Sequence, residues 1–242
     1  MSNRILFISD LHLESGRPDI SAALFAFLQR NAANCDALYI LGDLFETWIG
    51  DDDSNELSTA VAGALNSFHE AGAGIFILHG NRDFLLGASY AASCGATLIS
   101  DSTAIDTAIG PALVLHGDDL CTDDVEYLQF RNMVRQESWQ ADFLGKTLLE
   151  RRAFAEQARK QSQQATSAKA NSIMDVNAAA VKQRLIESGQ TLMIHGHTHR
   201  PKIHDLALND MTARRVVLGD WDSHGWYVQI DASGLQLEKF PL

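Results

Sequence analysis

Residues 4–13 read RILFISDLHL, a short apolar run that stops at a polar turn carrying Asp10 and His12. The same pattern returns at residues 37–46, ALYILGDLFE, and at residues 74–83, GIFILHGNRD. Each run is apolar at odd and even positions alike, so a strand built from it has both faces buried. Helical patterns separate the runs: SAALFAFLQRNAA at 21–33, NELSTAVAGALNSFHEAG at 55–72, and the shorter LLGASYAASCG at 85–95. Strand and helix in alternation predict an α/β sheet covered on both sides.

From Ala96 onward the pattern changes to short strands, ATLIS, TAIDTAI and ALVLH. After a long gap come TLMIH, KIHDLAL, RRVVLGDW and GWYVQI, spaced like antiparallel strands. The gap, residues 122–188, is rich in Ala, Gln, Glu, Lys and Arg and holds no Pro. It predicts helices at about 124–140, 145–170 and 175–187. It is too long for a plain connection. The chain therefore reads as a core of residues 1–121 and 189–242 with a helical insertion at 122–188, placed as a cap or lid.

The formal charge of −12 argues against a general nucleic-acid binder, which carries a basic surface. Its distribution is uneven. Residues 131–184 hold ten Lys/Arg against five Asp/Glu, a net of +5, so the rest of the chain carries −17. A basic helical segment on an acidic core is expected to meet something anionic. Phe143, Leu144, Leu148 and Phe154 lie among Lys146, Arg151 and Arg152, a mixture suited to an anionic membrane surface. Cys35, Cys94 and Cys121 are scattered and odd in number, which points to buried thiols in a reducing compartment. The apolar run before Asp10 is too short for a signal peptide, and no run approaches the roughly 18 apolar residues of a spanning helix.

The polar residues at the strand ends carry the chemistry. Asp10 and His12 follow the first strand, Gly42-Asp43 the second, and Gly80-Asn81 the third. ALVLHGDD ends a later strand on His116, and LMIHGHTHRP presents His197 and His199 after Gly196. Strand ends with tight glycine turns are where sites form in α/β sheets. Each fragment alone is weak. Together they supply two Asp, one Asn and four His, too many ligands for one metal and the right number for two sharing a carboxylate. Two such cations form the clamp used for in-line displacement at phosphorus. Imidazole and oxygen donors without thiolate suit Mn²⁺, Mg²⁺ or Zn²⁺. Asp51, Asp52, Asp53, Asp118 and Asp119 read as turn formers or as partners of ligands, and His195 as a packing residue or a partner of a ligand.

D-x-H, G-D, G-N, H and G-H-x-H in this order resemble the calcineurin-like metallophosphoesterase family. The fold this implies is α/β, a four-layer αββα sandwich with, here, a helical cap insertion. The wording around the motifs (SDLHL, LYILGDLFETWIGDDD, HGNRDFLLG, LHGDDLCTDD, SIMDVN, IHGHTHRP) is similar, over essentially the whole chain, to the family's hydrolases of a UDP-linked 2,3-diacylated glucosamine in lipid A synthesis. That resemblance implies one metal on Asp10, His12 and His199, a second on Asn81, His116 and His197, and Asp43 shared by both. It favours two Mn²⁺ per chain over Mg²⁺ or Zn²⁺. It also implies substrate contacts at Asn81, Arg82, Asp124, Ser162, Thr166, Lys169 and His197. Helical spacing adds Tyr127, three residues after Asp124. Catalytic roles fall to Asp43, Asn81 and Arg82.

Arg82 selects among phosphate compounds. Family members with histidine at this point can protonate an alkoxide leaving group, whereas a guanidinium has no proton to give near neutrality. What it does well is grip phosphate oxygens and offset growing negative charge. The exchange suits a leaving group that needs no proton, such as a phosphate, and hence a phosphoanhydride substrate. The implied reaction is water attack at the α-phosphorus, giving UMP and 2,3-diacylglucosamine 1-phosphate. The alternative is a dinuclear-metal hydrolase of other nucleotide diphosphate or dinucleoside polyphosphate substrates. The expected setting is a cytoplasmic monomer, peripheral on the inner membrane, with no nucleic-acid partner.

Overall fold

A computed structural model describes residues 4–168, 175–208 and 211–242. The first three apolar runs form β1 (Ile5–Ile8), β2 (Ala37–Leu41) and β3 (Gly74–Leu78), parallel and adjacent. Their crossovers are α1 (Pro18–Asn31) and α2 (Glu56–Glu70); α3 (Ala88–Ser93) follows β3. Asn55 caps α2, accepting from the Ser58 N–H at 2.9 Å while the Ser58 hydroxyl accepts from the Asn55 N–H, a reciprocal start signal.

The remaining strands are β4 (Ala96–Leu98), β5 (Ser102–Thr107), β6 (Gly110–Leu115), β7 (Leu192–His195), β8 (Lys202–Leu208), β9 (Met211–Val217), β10 (His224–Asp231) and β11 (Gly234–Pro241). One sheet runs β11-β10-β1-β2-β3-β4 and the other β5-β6-β7-β9-β8. Strand alternation then explains the apolar runs. Leu6, Ile8, Leu38, Ile40, Ile75 and Ile77 join the cluster that also holds the helix residues Leu24, Phe27, Val61 and Leu65. Ile5, Phe7, Tyr39, Leu41 and Leu78 meet Val114, Ile194, Val216 and Leu218 between the sheets. This is the two-sheet, helix-flanked fold that the sequence implies.

Three details differ from the sequence reading. β7 pairs parallel with both β6 and β9, because the inserted helices and β8 return the chain to the same edge each time. β4, which the reading assigned to no sheet, joins the first, parallel to β3. β11 has no counterpart in the reading; its partly exposed, mixed sequence GLQLEKFP lacks an apolar run.

Among the described residues four α-helices, rather than three, lie between β6 and β7: α4 (Val125–Val134), α5 (Glu137–Leu144), α6 (Leu148–Ala168) and α7 (Ala178–Ser188). The expected first helix breaks at Gln136, whose backbone is extended. Just before it, Arg135 donates to the Gly80 carbonyl at 2.8 Å, anchoring the chain at the turn.

The arginines of this segment pair with the core, while Lys146, Lys160 and Lys182 are exposed. Arg131 bonds Asp118 at 2.7 Å and Asp101 at 2.9 Å, and Arg135 lies 3.4 Å from Asp101. Arg151, almost fully buried, donates to the Ile49 carbonyl at 2.7 Å and pairs with Asp52; Arg152 pairs with Asp53. Arg159 reaches Glu46 at 3.1 Å, and Arg184 reaches Asp119 at 2.7 Å. All six arginines of residues 131–184 thus meet acids of the surrounding core. The anion that the charge contrast calls for is, for the arginines, the core itself.

Asp118 and Arg131 are both largely buried. Burial would raise the Asp118 carboxyl, but His116 and the Arg131 guanidinium hold it well below the usual range. Removing one member of a buried pair is strongly destabilising. Arg131→Ala should therefore cost about 3 kcal/mol in urea unfolding; an unchanged midpoint would contradict this docking role.

Candidate active site

The seven donor positions sit on the loops that leave β1, β2, β3, β6 and β7, and the structure brings them together. A ladder of backbone bonds sews the first two loops to each other: Asp10 N–H to Gly42 O at 3.1 Å, His12 N–H to Asp43 O at 3.0 Å, Leu13 N–H to Leu44 O at 3.0 Å. Asp10, His12, Asp43, His197 and His199 all have left-handed backbones, with φ of 55°, 49°, 52°, 66° and 53°. That region is unfavourable for side chains larger than glycine and persists only where the surroundings impose it. Gly80 and Gly196 permit the close approach. A Cβ at Gly80 would fall on the Asp43 carboxylate, and one at Gly196 on that of Asp10.

Asp10 and Asp43 are fully buried. Asp10 accepts from the Ser9 hydroxyl at 2.6 Å and from the His197 N–H at 2.9 Å, and lies 3.4 Å from His199 Nε2. Asp43 Oδ1 accepts from the Arg82 N–H at 2.7 Å. Its Oδ2 stands 3.8 Å from His12 Nε2 and 3.7 Å from His116 Nε2, almost midway between the two halves of the site. His116 Nε2 and His197 Nδ1 converge on Asn81 Oδ1 at 2.9 and 2.8 Å. His12 Nε2 and His199 Nε2 face each other at 3.3 Å.

Electrostatics follow from this crowding. Burial works against ionised Asp10, yet His199, His116 and His12 hold it well below the ordinary range. Burial pushes Asp43 up to about 6. Burial also pushes His197 down to about 3, with His116 adding to the effect. His199 goes the other way: despite burial, its contacts with Asp10 and Asp220 lift it to about 10.

This donor set fits divalent cations. Asp10, His12 and His199 offer atoms within 4.8 Å of one another, and so do Asp10, Asp43 and His116. Imidazole nitrogens point at each other and at an amide oxygen, an arrangement that a cation between them would satisfy better than shared protons.

The other expected contacts are distributed as follows. Arg82 lies beside the cluster, about a quarter exposed, its Nη1 3.9 Å from Glu46. Asp124 caps α4, accepting from the Tyr127 N–H at 3.1 Å. The Tyr127 hydroxyl donates to Asp118 at 2.5 Å, and its ring stacks on His197 with centroids 6.0 Å apart. Ser162 is exposed on α6. Thr166 belongs to α6, its side chain beyond what is described, and Lys169 lies outside the described residues.

Of the remaining acids, Asp51 accepts from Trp48 Nε1, the Gly87 N–H and the Tyr90 N–H, so it ties its loop to the start of α3 rather than forming a local turn. His195 is fully buried, as a packing residue. Three acids that the sequence reading passed over support the site. Asp83, fully buried, accepts from the backbone N–H groups of Gly80 and Leu44 at 2.8 Å and of Asp43 at 3.3 Å. Glu46 faces His12 Nδ1 at 2.8 Å, and Asp220 faces His199 Nδ1 at 3.3 Å. Gly219-Asp220 after β9 repeats the Gly-Asp signal that marks Asp43, so it was readable in principle.

Fold and site together define a metal-dependent phosphoesterase, and the chain belongs to the calcineurin-like phosphoesterase family, whose model matches residues 3–201. Its relatives narrow this further. A UDP-2,3-diacylglucosamine hydrolase of Cellvibrio japonicus is 52% identical over 98% of this chain and 99% of its own. Proteins of the same name from Marinobacter nauticus and Serratia proteamaculans are 48% and 46% identical, over 93% and 98% of this chain and 92% and 98% of theirs.

With His199 raised to about 10, a divalent ion held there would have to displace its proton at neutral pH. Metal affinity should therefore climb as pH rises from about 6, where Asp43 titrates, toward about 10. Calorimetric titration with Mn²⁺ at pH 7.5 should show an enthalpy that varies with the buffer's ionisation enthalpy; no variation would contradict the assignment.

Proposed function

We propose that the protein hydrolyses the diphosphate of UDP-2,3-diacylglucosamine at the α-phosphorus, releasing UMP and 2,3-diacylglucosamine 1-phosphate, with two Mn²⁺ ions as cofactors. Asp10, His12 and His199 would hold one ion and Asn81, His116 and His197 the other, with Asp43 shared. The position of Asp43 Oδ2 between His12 and His116 supports the sharing. Such a pair of ions supplies the positive charge that acidifies a water and polarises the phosphoryl group.

The observation that carries the anhydride reading is Arg82. Asp43 pins its backbone at 2.7 Å, while its Nε is buried with no hydrogen-bond partner among the described residues. A buried, unpartnered donor on a permanently charged group is costly unless an anion completes it. The diphosphate supplies that anion, and the departing phosphate needs no proton from the chain. The site's other groups have supporting tasks. The buried carboxylate of Asp83 fixes the loops that carry Asp43 and Asn81, and Tyr127 holds the His197 ring from the side of α4.

The helices at 122–188 act in this reading as a cap that receives the acylated sugar through Asp124, Tyr127, Ser162, Thr166 and Lys169. Leu144, Leu149 and Phe154 are exposed, which supports contact between the cap and an anionic membrane surface on the cytoplasmic side. Among the described residues no helix is long and apolar enough to cross a membrane, so that contact is peripheral. The unit is a monomer.

The experiment is incubation with UDP-2,3-diacylglucosamine, UDP-glucose and a dinucleoside polyphosphate, with Mn²⁺ or with chelator, in ¹⁸O water. Manganese-dependent UMP carrying the label, from the acylated substrate alone, is expected. Label in the lipid phosphate would refute α-attack, and equal cleavage of all three would refute the role of the cap. Arg82→Ala should lower kcat by about 10²–10³-fold, as loss of a transition-state donor does.

A further inference from the structure

One carboxylate outside the seven donors touches three parts of the proposed machinery. Glu46 is largely buried, with 13% of its side chain exposed. Its backbone N–H donates to Leu13 O at 3.2 Å, extending the ladder that joins the His12 loop to the Asp43 loop. Its position relative to His12 is therefore set by the main chain. Oε2 approaches His12 Nδ1 to 2.8 Å, off the line of a straight hydrogen bond, while Oε1 lies 3.1 Å from Arg159 Nη2 on α6 and 3.9 Å from Arg82 Nη1.

A carboxylate at Nδ1 fixes an imidazole in two ways. It keeps the proton on Nδ1, leaving the Nε2 lone pair free, and it stops the ring from rotating. In this chain Nε2 of His12 is the atom that faces His199 and Asp43. The second oxygen is held by an arginine of the inserted helices. The seating of α6 and the aim of a metal ligand thus meet in a single side chain.

Resting on the metal-centre reading above, we propose that Glu46 is a positioning residue. It orients His12 for the metal, and through Arg159 it links that orientation to the docking of α6.

Chelator competition with Mn²⁺ on the full-length purified protein tests this without turnover. Glu46→Ala should weaken the binding of one of two ions by about 10–100-fold, the usual effect of losing such a partner. Glu46→Gln should recover most of the affinity, because its amide oxygen keeps an acceptor within reach of Nδ1. The effects of Glu46→Ala and Arg159→Ala should be non-additive. Thermal unfolding of the metal-free variants identifies any that fail to fold, and the near-isosteric Glu46→Gln then carries the test against wild type.

Unchanged affinity in a folded Glu46→Ala, or Glu46→Gln as weak as Glu46→Ala, overturns the positioning role. Additive effects overturn the link to α6. A wild-type chain that binds no ion would overturn the metal-centre reading itself, and this inference with it.

Discussion

Two carboxylates, Asp10 and Asp43, are buried side by side where the strand ends of two sheets meet. Like charges in a water-poor place repel, and each alone would be driven to neutrality. Much of the surrounding structure answers that problem. Four imidazoles ring the pair, backbone N–H groups of Arg82 and His197 donate to it, and five donor residues accept a left-handed backbone to reach it. A fold tolerates such strain only where the packing around it leaves no alternative. Here the two-sided hydrophobic core beneath β1, β2 and β3 supplies that rigidity.

The same logic governs the inserted helices. They bring six arginines to an acidic core, and each arginine finds a carboxylate there. The inserted helices are thus held down by charge as well as by apolar contacts such as Trp139 against Phe84 of the core. Two of those arginines end next to the site: Arg131 on Asp118, behind Tyr127 and His197, and Arg159 on Glu46, behind His12. The insertion and the proposed metal ligands are therefore parts of one network.

Much of this was legible in the sequence. The strands β1, β2 and β3 are apolar at every position because both faces are covered, and that pattern is local. The donor positions were legible because each follows a strand, three of them (Asp43, Asn81 and His197) directly after a glycine. What escaped was whatever depends on a partner elsewhere. β7 looks the same whether its neighbours run parallel or antiparallel. β11 is an edge strand with little buried surface to mark it. The break at Gln136 carries no Gly or Pro. Glu46, Asp83 and Asp220 are ordinary acids until one sees which nitrogen each faces. The basic insertion was read as seeking an anionic membrane surface; a linear sequence cannot say that Arg151 and Arg152 find their anions about a hundred residues earlier, at Asp52 and Asp53.

The central claim is that the seven donors form one centre for two cations. Anomalous diffraction from Mn²⁺-soaked crystals tests it most directly. The account predicts two peaks, one against Asp10, His12 and His199, the other against Asn81, His116 and His197, with Asp43 touching both. A single peak, or peaks away from these side chains, would contradict it.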